Sequence, residues 1–323
     1  MDTTPNTGIV LAGGSGFLGT ALAQFFLRQG RAVSVLTRGK RRLASGVRFI
    51  HWDGRSLGAW TGQLEGAAAL INLAGRSVDC RYHARNRRLI LGSRTESTRV
   101  LGQAVAQCRK PPPIWMNSST ATIYRHTFGD AWGEEGEIGA TPEAKDKFSV
   151  EVARAWEEAF FESRTPGVRK IALRSAMVLG AGRNSVFPVL RRLTRLGLGG
   201  RMGSGRQFVS WIHEVDFCRA ITWLIARPDI AGPVNLAAPS PLPNHEMMRA
   251  LRRICGAPFS LGLPAPAALL ELGAFFLRTE TELIIKSRKV IPGLLPAHGF
   301  RFNFHRFEDA VRDLESQDAA NNL

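Results

Sequence analysis

An apolar run, a glycine-rich turn and a helix follow one another at the amino end of this chain, an order that few folds accept. Gly8-Ile9-Val10-Leu11-Ala12 is nearly continuous in apolar residues, as a parallel strand buried on both faces requires. Gly13-Gly14-Ser15-Gly16-Phe17-Leu18-Gly19 comes next. Thr20 to Gln29 then reads as a helix with Leu22, Phe25 and Phe26 on its inner face, and Ala32 to Thr37 as a second strand. In that βαβ setting Gly13 permits the tight turn, Gly16 lets backbone approach a pyrophosphate, and Gly19 allows close packing of helix on sheet. The helix amino terminus adds free N–H groups and the positive end of its dipole. This predicts a dinucleotide site lined by Gly13, Gly16, Phe17, Leu18 and Gly19.

The end of the second strand chooses between cofactors. An Asp or Glu there would hold the ribose 2′-hydroxyl of NAD, whereas arginine meets the 2′-phosphate of NADP. The sequence is Thr37-Arg38-Gly39-Lys40-Arg41-Arg42, with no carboxylate. Arg38 can stack on adenine while pairing with the phosphate, as a planar guanidinium allows. The expected cofactor is NADP(H).

Composition narrows the partners. The net charge is +16, from 43 Lys and Arg against 27 Asp and Glu. No helix-turn-helix, RNA-recognition or zinc-finger pattern accompanies that charge, so anionic small ligands are expected rather than nucleic acid. The four cysteines make no CxxC pair and the seven histidines complete no ligand spacing, which argues against a metal site. Sparse cysteine and no signal peptide predict a cytoplasmic protein. The richest apolar stretch, Ala265 to Leu277, contains Glu271 and reads as a core helix, not a membrane span.

Strand-like and helix-like segments keep alternating, the pattern of an α/β doubly wound parallel sheet. Strands are expected at 69–73, 114–117, 170–174 and 233–237, and helices at 85–108 and 150–161. Ligands in such sheets bind beyond the strands' carboxyl ends. Four of those ends carry candidates: Gly13 to Gly19, Arg38, Asn72-Leu73-Ala74-Gly75, and Ser118-Ser119-Thr120-Ala121-Thr122-Ile123-Tyr124. A cofactor-binding domain over 1–240, with 180–215 on the substrate side, a small helical lobe over 241–316 and a frayed tail over 317–323 are the expected divisions.

The glycine motif, the Asn72 to Gly75 stretch and the Ser118 to Tyr124 stretch together resemble extended short-chain dehydrogenase/reductases of the NAD-dependent epimerase/dehydratase superfamily, on a Rossmann-type sheet. Within it the chain is similar to the "epimerase family proteins" of the YfcH type, with their own carboxyl-terminal domain. Arg81-Tyr82, Ser93-Arg94, Trp156-Glu157, Gly203-Ser204-Gly205-Arg206-Gln207, Ser210-Trp211-Ile212-His213, Gly232-Pro233-Val234-Asn235 and Arg288-Lys289-Val290-Ile291-Pro292 carry that likeness. The resemblance implies an epimerase or oxidoreductase acting on an anionic, nucleotide-sugar-like substrate. It assigns Leu73, Ala74, Gly75 and Ser118 to the cofactor, Arg206 and Gln207 to the substrate, Thr120 to substrate positioning, and a homodimer through the helices at 85–108 and 150–161.

The usual catalytic pair is missing. Neither tyrosine, Tyr82 or Tyr124, has a lysine four residues later, and the family positions for Tyr and Lys hold Ser149 and Ala153. A serine hydroxyl is far too weak an acid to replace that phenol. Three readings stand open: Tyr124 or His213 supplies the proton; Lys145 or Lys147 replaces the missing cation; or the chain is a non-catalytic NADP(H)-sensing or scaffold protein.

Overall fold

Alternate residues of the first strand serve two different cores, and that sets the layers of the molecule. In a computed structural model that describes residues 8–39, 46–182, 184–257, 262–263 and 285–321, β1 (Ile9–Ala12) is buried throughout. Ile9 and Leu11 face one core together with Leu22 and Phe26 of α1 (Phe17–Arg28) and Phe217, Ile221 and Leu224 of α5 (Glu214–Ile225). Val10 and Ala12 face the other, with Val100 and Leu101 of α2 (Ala84–Ala106) and Phe160 of α3 (Lys147–Phe161). Helices on both faces are what a parallel sheet requires to bury its strands.

The sheet adds β2 (Val33–Thr37), β3 (Val47–His51), β4 (Ala69–Asn72), β5 (Ile114–Thr120), β6 (Arg169–Ser175) and β10 (Gly232–Leu236). The order is β10-β6-β5-β4-β1-β2-β3, and every pairing is parallel. The expected doubly wound sheet is therefore observed, with its switch point between β1 and β4. β3 is not among the expected strands. Its pattern, Val47-Arg48-Phe49-Ile50-His51, mixes charge with apolar residues because an edge strand is only half covered. β5 runs on through Ser118, Ser119 and Thr120, so the polar stretch expected beyond the strand is part of it.

The remaining elements make a second core. β7 (Met177–Leu179) pairs with β9 (Trp211–His213), and β8 (Phe208–Val209) with β11 (Leu242–Pro243). Around them Phe187 and Leu190 of α4 (Val186–Arg195) pack with Met247, Met248 and Leu251 of α6 (Asn244–Cys255). The short α7 (Leu294–Ala297) precedes α8 (Phe307–Asn321), whose Phe307, Val311 and Leu314 complete the cluster. The 180–215 segment thus shares its core with the carboxyl-terminal helices. Two family-specific pieces meet here: the Val290 N–H donates to the Ser210 hydroxyl at 2.7 Å, which itself reaches the Arg288 carbonyl at 2.8 Å. The core helix expected at Ala265 to Leu277 lies outside the described residues, as do Lys40, Arg41 and Arg42. Among the described residues no helix is long and apolar enough to cross a membrane.

Candidate functional site

Steric contact brings the glycine turn and the end of β4 together. Gly13 has φ +72°, a conformation that side chains other than hydrogen resist, and its N–H donates to the Leu36 carbonyl at 2.9 Å. A Cβ built on Gly13 would lie 2.6 Å from the Cα of Ala74. Gly16, at the N-cap of α1, differs: it is exposed, a Cβ there would meet nothing within 4 Å, and no side chain caps the first turn. Open N–H groups at Phe17 and Leu18 are what a helix offers an anion. A Cβ on Gly19 would fall 2.3 Å from the Cα of Gly14. That glycine therefore seats the helix on its own turn, where helix–sheet packing had been expected.

The adjoining strand ends are tied to this turn. The Thr37 hydroxyl donates to Ser15 Oγ at 3.2 Å and accepts from the Gly39 N–H at 3.4 Å, leaving Arg38 exposed beside them. Sequence reasoning missed Asp53, just past β3. Its Oδ1 accepts from the N–H groups of Ser56 (2.9 Å) and Arg55 (2.8 Å), and these bonds hold its carboxyl below the usual range. A concavity of about 620 Å³ beside β3 takes in Asp53 but not Gly13, Gly16 or Thr120, so cavity size alone would not have found this edge.

Behind the edge lies a buried polar net. Asn72 Nδ2 donates to Asn117 Oδ1 at 2.6 Å and to Thr98 Oγ1 at 3.2 Å, while its Oδ1 accepts from the Ala74 N–H at 3.0 Å. Trp156 Nε1 reaches the same Thr98 hydroxyl at 3.1 Å. Leu73, Ala74 and Gly75 are thereby held against the glycine turn, with Ser118 half-buried on the next strand but one from β1.

Thr120, half-buried, accepts from the Thr122 N–H at 3.1 Å through Oγ1. Ser119 donates to Glu157 Oε1 at 2.5 Å, and Glu157 grips Arg174 with both oxygens, at 2.9 and 2.8 Å. Arg174 Nη1 also donates to the Tyr124 hydroxyl at 2.9 Å, and that hydroxyl donates to Asn235 Oδ1 at 2.8 Å. Tyr124 is 1% exposed, and burial pushes its phenol up even though Arg174 pulls the other way. Its hydroxyl is engaged inside the protein. Ala153, in the position of the missing lysine, is fully buried in one apolar cluster with Ala121, Tyr124 and Val290.

The other candidates are dispersed. Lys145 is exposed with φ +53°, and Lys147 is exposed with its ammonium 3.9 Å from Glu151. The buried ammonium of this region is instead Lys286, which pairs with Asp146 and donates to the Thr122 carbonyl at 2.6 Å. No sequence signal marked it, because its partner is far away in the chain. Arg206 is exposed, 6.0 Å above the Phe128 ring. Gln207 is buried, its amide donating to the Met202 carbonyl at 2.7 Å and accepting from Ser204 at 3.1 Å. His213 is fully buried. Its Nδ1 caps α5 by accepting from the Val215 N–H at 3.1 Å, its Nε2 lies 3.2 Å from Asp313, and its ring stacks on Phe304. Burial pulls the imidazole below its ordinary value, so it is neutral near pH 7.

The profile of the NAD dependent epimerase/dehydratase family matches residues 9–237, and that of a domain of unknown function, DUF1731, matches residues 265–314. The epimerase family protein SDR39U1 of Bos taurus is 30% identical over 312 residues, spanning 95% of this chain and 99% of the relative. A crystal structure of the human epimerase family protein SDR39U1 (isoform 2) with NADPH superposes with a TM-score of 0.82 at 28% identity, over 98% of this chain and 99% of that one. The UDP-N-acetylglucosamine 4-epimerase of Bacillus cereus shares the fold, with a TM-score of 0.71 at 17% identity over 96% of each chain.

Proposed function

The chain belongs to the NAD dependent epimerase/dehydratase family, and from that premise we propose that it binds NADP(H) across the carboxyl edge of the sheet and uses it on an anionic, nucleotide-sugar-like substrate. One observation carries the cofactor: the N-cap of α1 is a glycine with open space in front of it and no capping side chain. That is the cradle a pyrophosphate fits. Gly13, Gly16, Phe17, Leu18 and Gly19 would form it, and Arg38 would meet the 2′-phosphate. Leu73, Ala74, Gly75 and Ser118 would line the path to the nicotinamide. The human relative's complex with NADPH supports the choice of cofactor.

When bound, the nicotinamide supplies or accepts hydride. The chain's own groups must orient the substrate and move a proton. Thr120 suits orientation, since its oxygen already accepts from Thr122 and its proton remains to donate to a substrate oxygen. Exposed Arg206 suits a phosphate or carboxylate, which a guanidinium can grip bidentately. We read Tyr124 and His213 as positioning residues, because their polar atoms serve Arg174, Asn235, Val215 and Asp313. Tyr124→Phe is accordingly expected to cost about 1–3 kcal/mol of stability and to leave NADPH affinity unchanged. Loss of affinity without loss of stability would overturn that assignment.

The vacant Tyr and Lys positions at Ser149 and Ala153 favour a second reading, a non-catalytic NADP(H) sensor. Calorimetric titration with NADPH and NADH tests the shared core of both. NADPH is expected to bind, about 10–100-fold more weakly in Arg38→Ala, as befits one charge-assisted phosphate contact, with NADH affinity unaffected. If neither nucleotide binds, both readings fall. If NADPH binds, a screen of carbonyl and nucleotide-sugar substrates separates them, because only the enzyme oxidises the cofactor.

A further inference from the structure

Ser93-Arg94, one of the family-specific pieces, takes no part in the cradle, yet it stands against the segment that leads away from it. Arg94 is half-buried on α2. Its Nη1 donates to the carbonyls of Arg76 and Ile90, at 3.0 Å each, which fixes the guanidinium. Ser93 accepts from the Arg76 N–H at 2.9 Å, so the two residues clasp one turn from both sides. The guanidinium carbon lies 5.0 Å from the centre of the Trp156 ring, and the Thr98 hydroxyl holds that ring's Nε1 at 3.1 Å. No carboxylate among the described residues pairs with Arg94, and Glu96, two residues on, pairs with Arg55 instead.

The opposite edge of the guanidinium is unused. Among the described residues Nε and Nη2 have no hydrogen-bond partner, and neither is shut off from solvent. Both face exposed Gly75, where a Cβ would lie 3.4 Å from Nη2 and 3.5 Å from Nε. A side chain at that position would cover the edge, and glycine leaves it open. Gly75 directly follows Ala74, which meets Gly13 of the cradle. Burial pulls the guanidinium down to about 10, so it keeps its charge at neutral pH.

We infer that the Nε–Nη2 edge of Arg94 receives a carboxylate carried by the substrate. The inference rests on the proposed function above and narrows its anionic substrate to a carboxylic acid, such as a sugar acid. Two parallel N–H groups on one edge of a guanidinium match the two oxygens of a carboxylate. A cation that has given up much of its water gains from such a partner. The cofactor offers none here: its phosphates go to the α1 cradle and Arg38, and its nicotinamide end is neutral when reduced and positive when oxidised. One guanidinium balances the single charge of a carboxylate, whereas a phosphate monoester brings nearly two charges and three acceptor oxygens.

The arginine Nε–H resonances of isotope-labelled protein read this edge directly, with the Arg94 signal identified by its loss in Arg94→Lys. D-glucuronate, glucose 6-phosphate and glucose serve as probes that share a sugar ring and differ in charge. Glucuronate is expected to shift the Arg94 signal saturably, glucose to leave it still, and glucose 6-phosphate to act only at higher concentration. By calorimetry, Arg94→Gln should bind glucuronate about 10–100-fold more weakly, the loss of one charge-assisted contact. Gly75→Ala keeps the charge but covers the edge, and should weaken glucuronate binding in a protein that still unfolds cooperatively. An Arg94 signal that glucuronate leaves unmoved, or that glucose 6-phosphate saturates first, overturns the inference. So does NADPH that moves the signal and closes it to glucuronate, since the edge would then belong to the cofactor. Absence of any nucleotide binding would instead defeat the proposed function, while the carboxylate would still be read in the cofactor-free protein.

Discussion

A Gly16→Asp variant is expected to fold as well as the native chain and to bind NADPH about 100-fold more weakly or worse, a loss of about 2.7 kcal/mol. The backbone at Gly16 is extended, with φ −83° and ψ −177°, which any residue adopts, and a Cβ there meets nothing within 4 Å. Aspartate is a favoured N-cap, and the new side chain can accept from the first-turn N–H groups, for a few tenths of a kcal/mol of added stability over glycine. Those are the groups the pyrophosphate needs. The carboxylate would also repel it: two unit charges 4 Å apart interact by about 4 kcal/mol at an effective dielectric of 20. Calorimetry and thermal unfolding on the same sample check both halves. Undiminished NADPH binding would mean that the phosphates sit elsewhere. Gly13→Ala is the contrasting case, because its φ of +72° and the 2.6 Å approach to Ala74 make the substitution a disruption of the turn itself.

The second large effect is expected at Glu157. Replacing it with alanine strands Arg174, which is 4% exposed, with no carboxylate to balance it. Breaking one side of a buried pair costs about 3–5 kcal/mol, and Ser119 would lose its acceptor as well. Urea denaturation measures the loss. The double variant Glu157→Leu with Arg174→Met should recover most of it, since the penalty lies in the orphaned charge more than in the worth of the pair. A cost below about 1 kcal/mol for Glu157→Ala, the level of a solvent-exposed pair, would show that water reaches this network.

How much of this was legible beforehand depends on the range of the signal. The strands at β1, β2, β4, β6 and β10 and the helices α2 and α3 were readable within a few residues, because burial on both faces writes itself into a continuous apolar run. β3 was not, since half-covered edge residues carry no such pattern. Seven parallel strands in the expected topology follow from alternating elements and right-handed crossovers. The juxtaposition of Gly13 with Ala74 followed from the same topology.

Polar pairing followed different rules. Tyr124 looked available because its position near Thr120 was readable, but the partners that engage its hydroxyl, Arg174 and Asn235, lie 50 and 111 residues away. Lys145 and Lys147 looked close to the vacant position, and the helix turns Lys147 toward Glu151 and solvent while Lys286 reaches Asp146 from across the chain. Arg94 gave no sequence sign of standing against Gly75. Chain-local features, namely which segments are strands, where the turn must be glycine, and the absence of a Tyr-x-x-x-Lys pair, were determined by the sequence alone, because backbone sterics and hydrophobic period act over a few residues. Which hydroxyls are engaged, which cations are buried and what faces the cleft were decided only by tertiary packing. A buried polar atom must find a partner wherever the fold brings one within about 3 Å, at any separation along the chain.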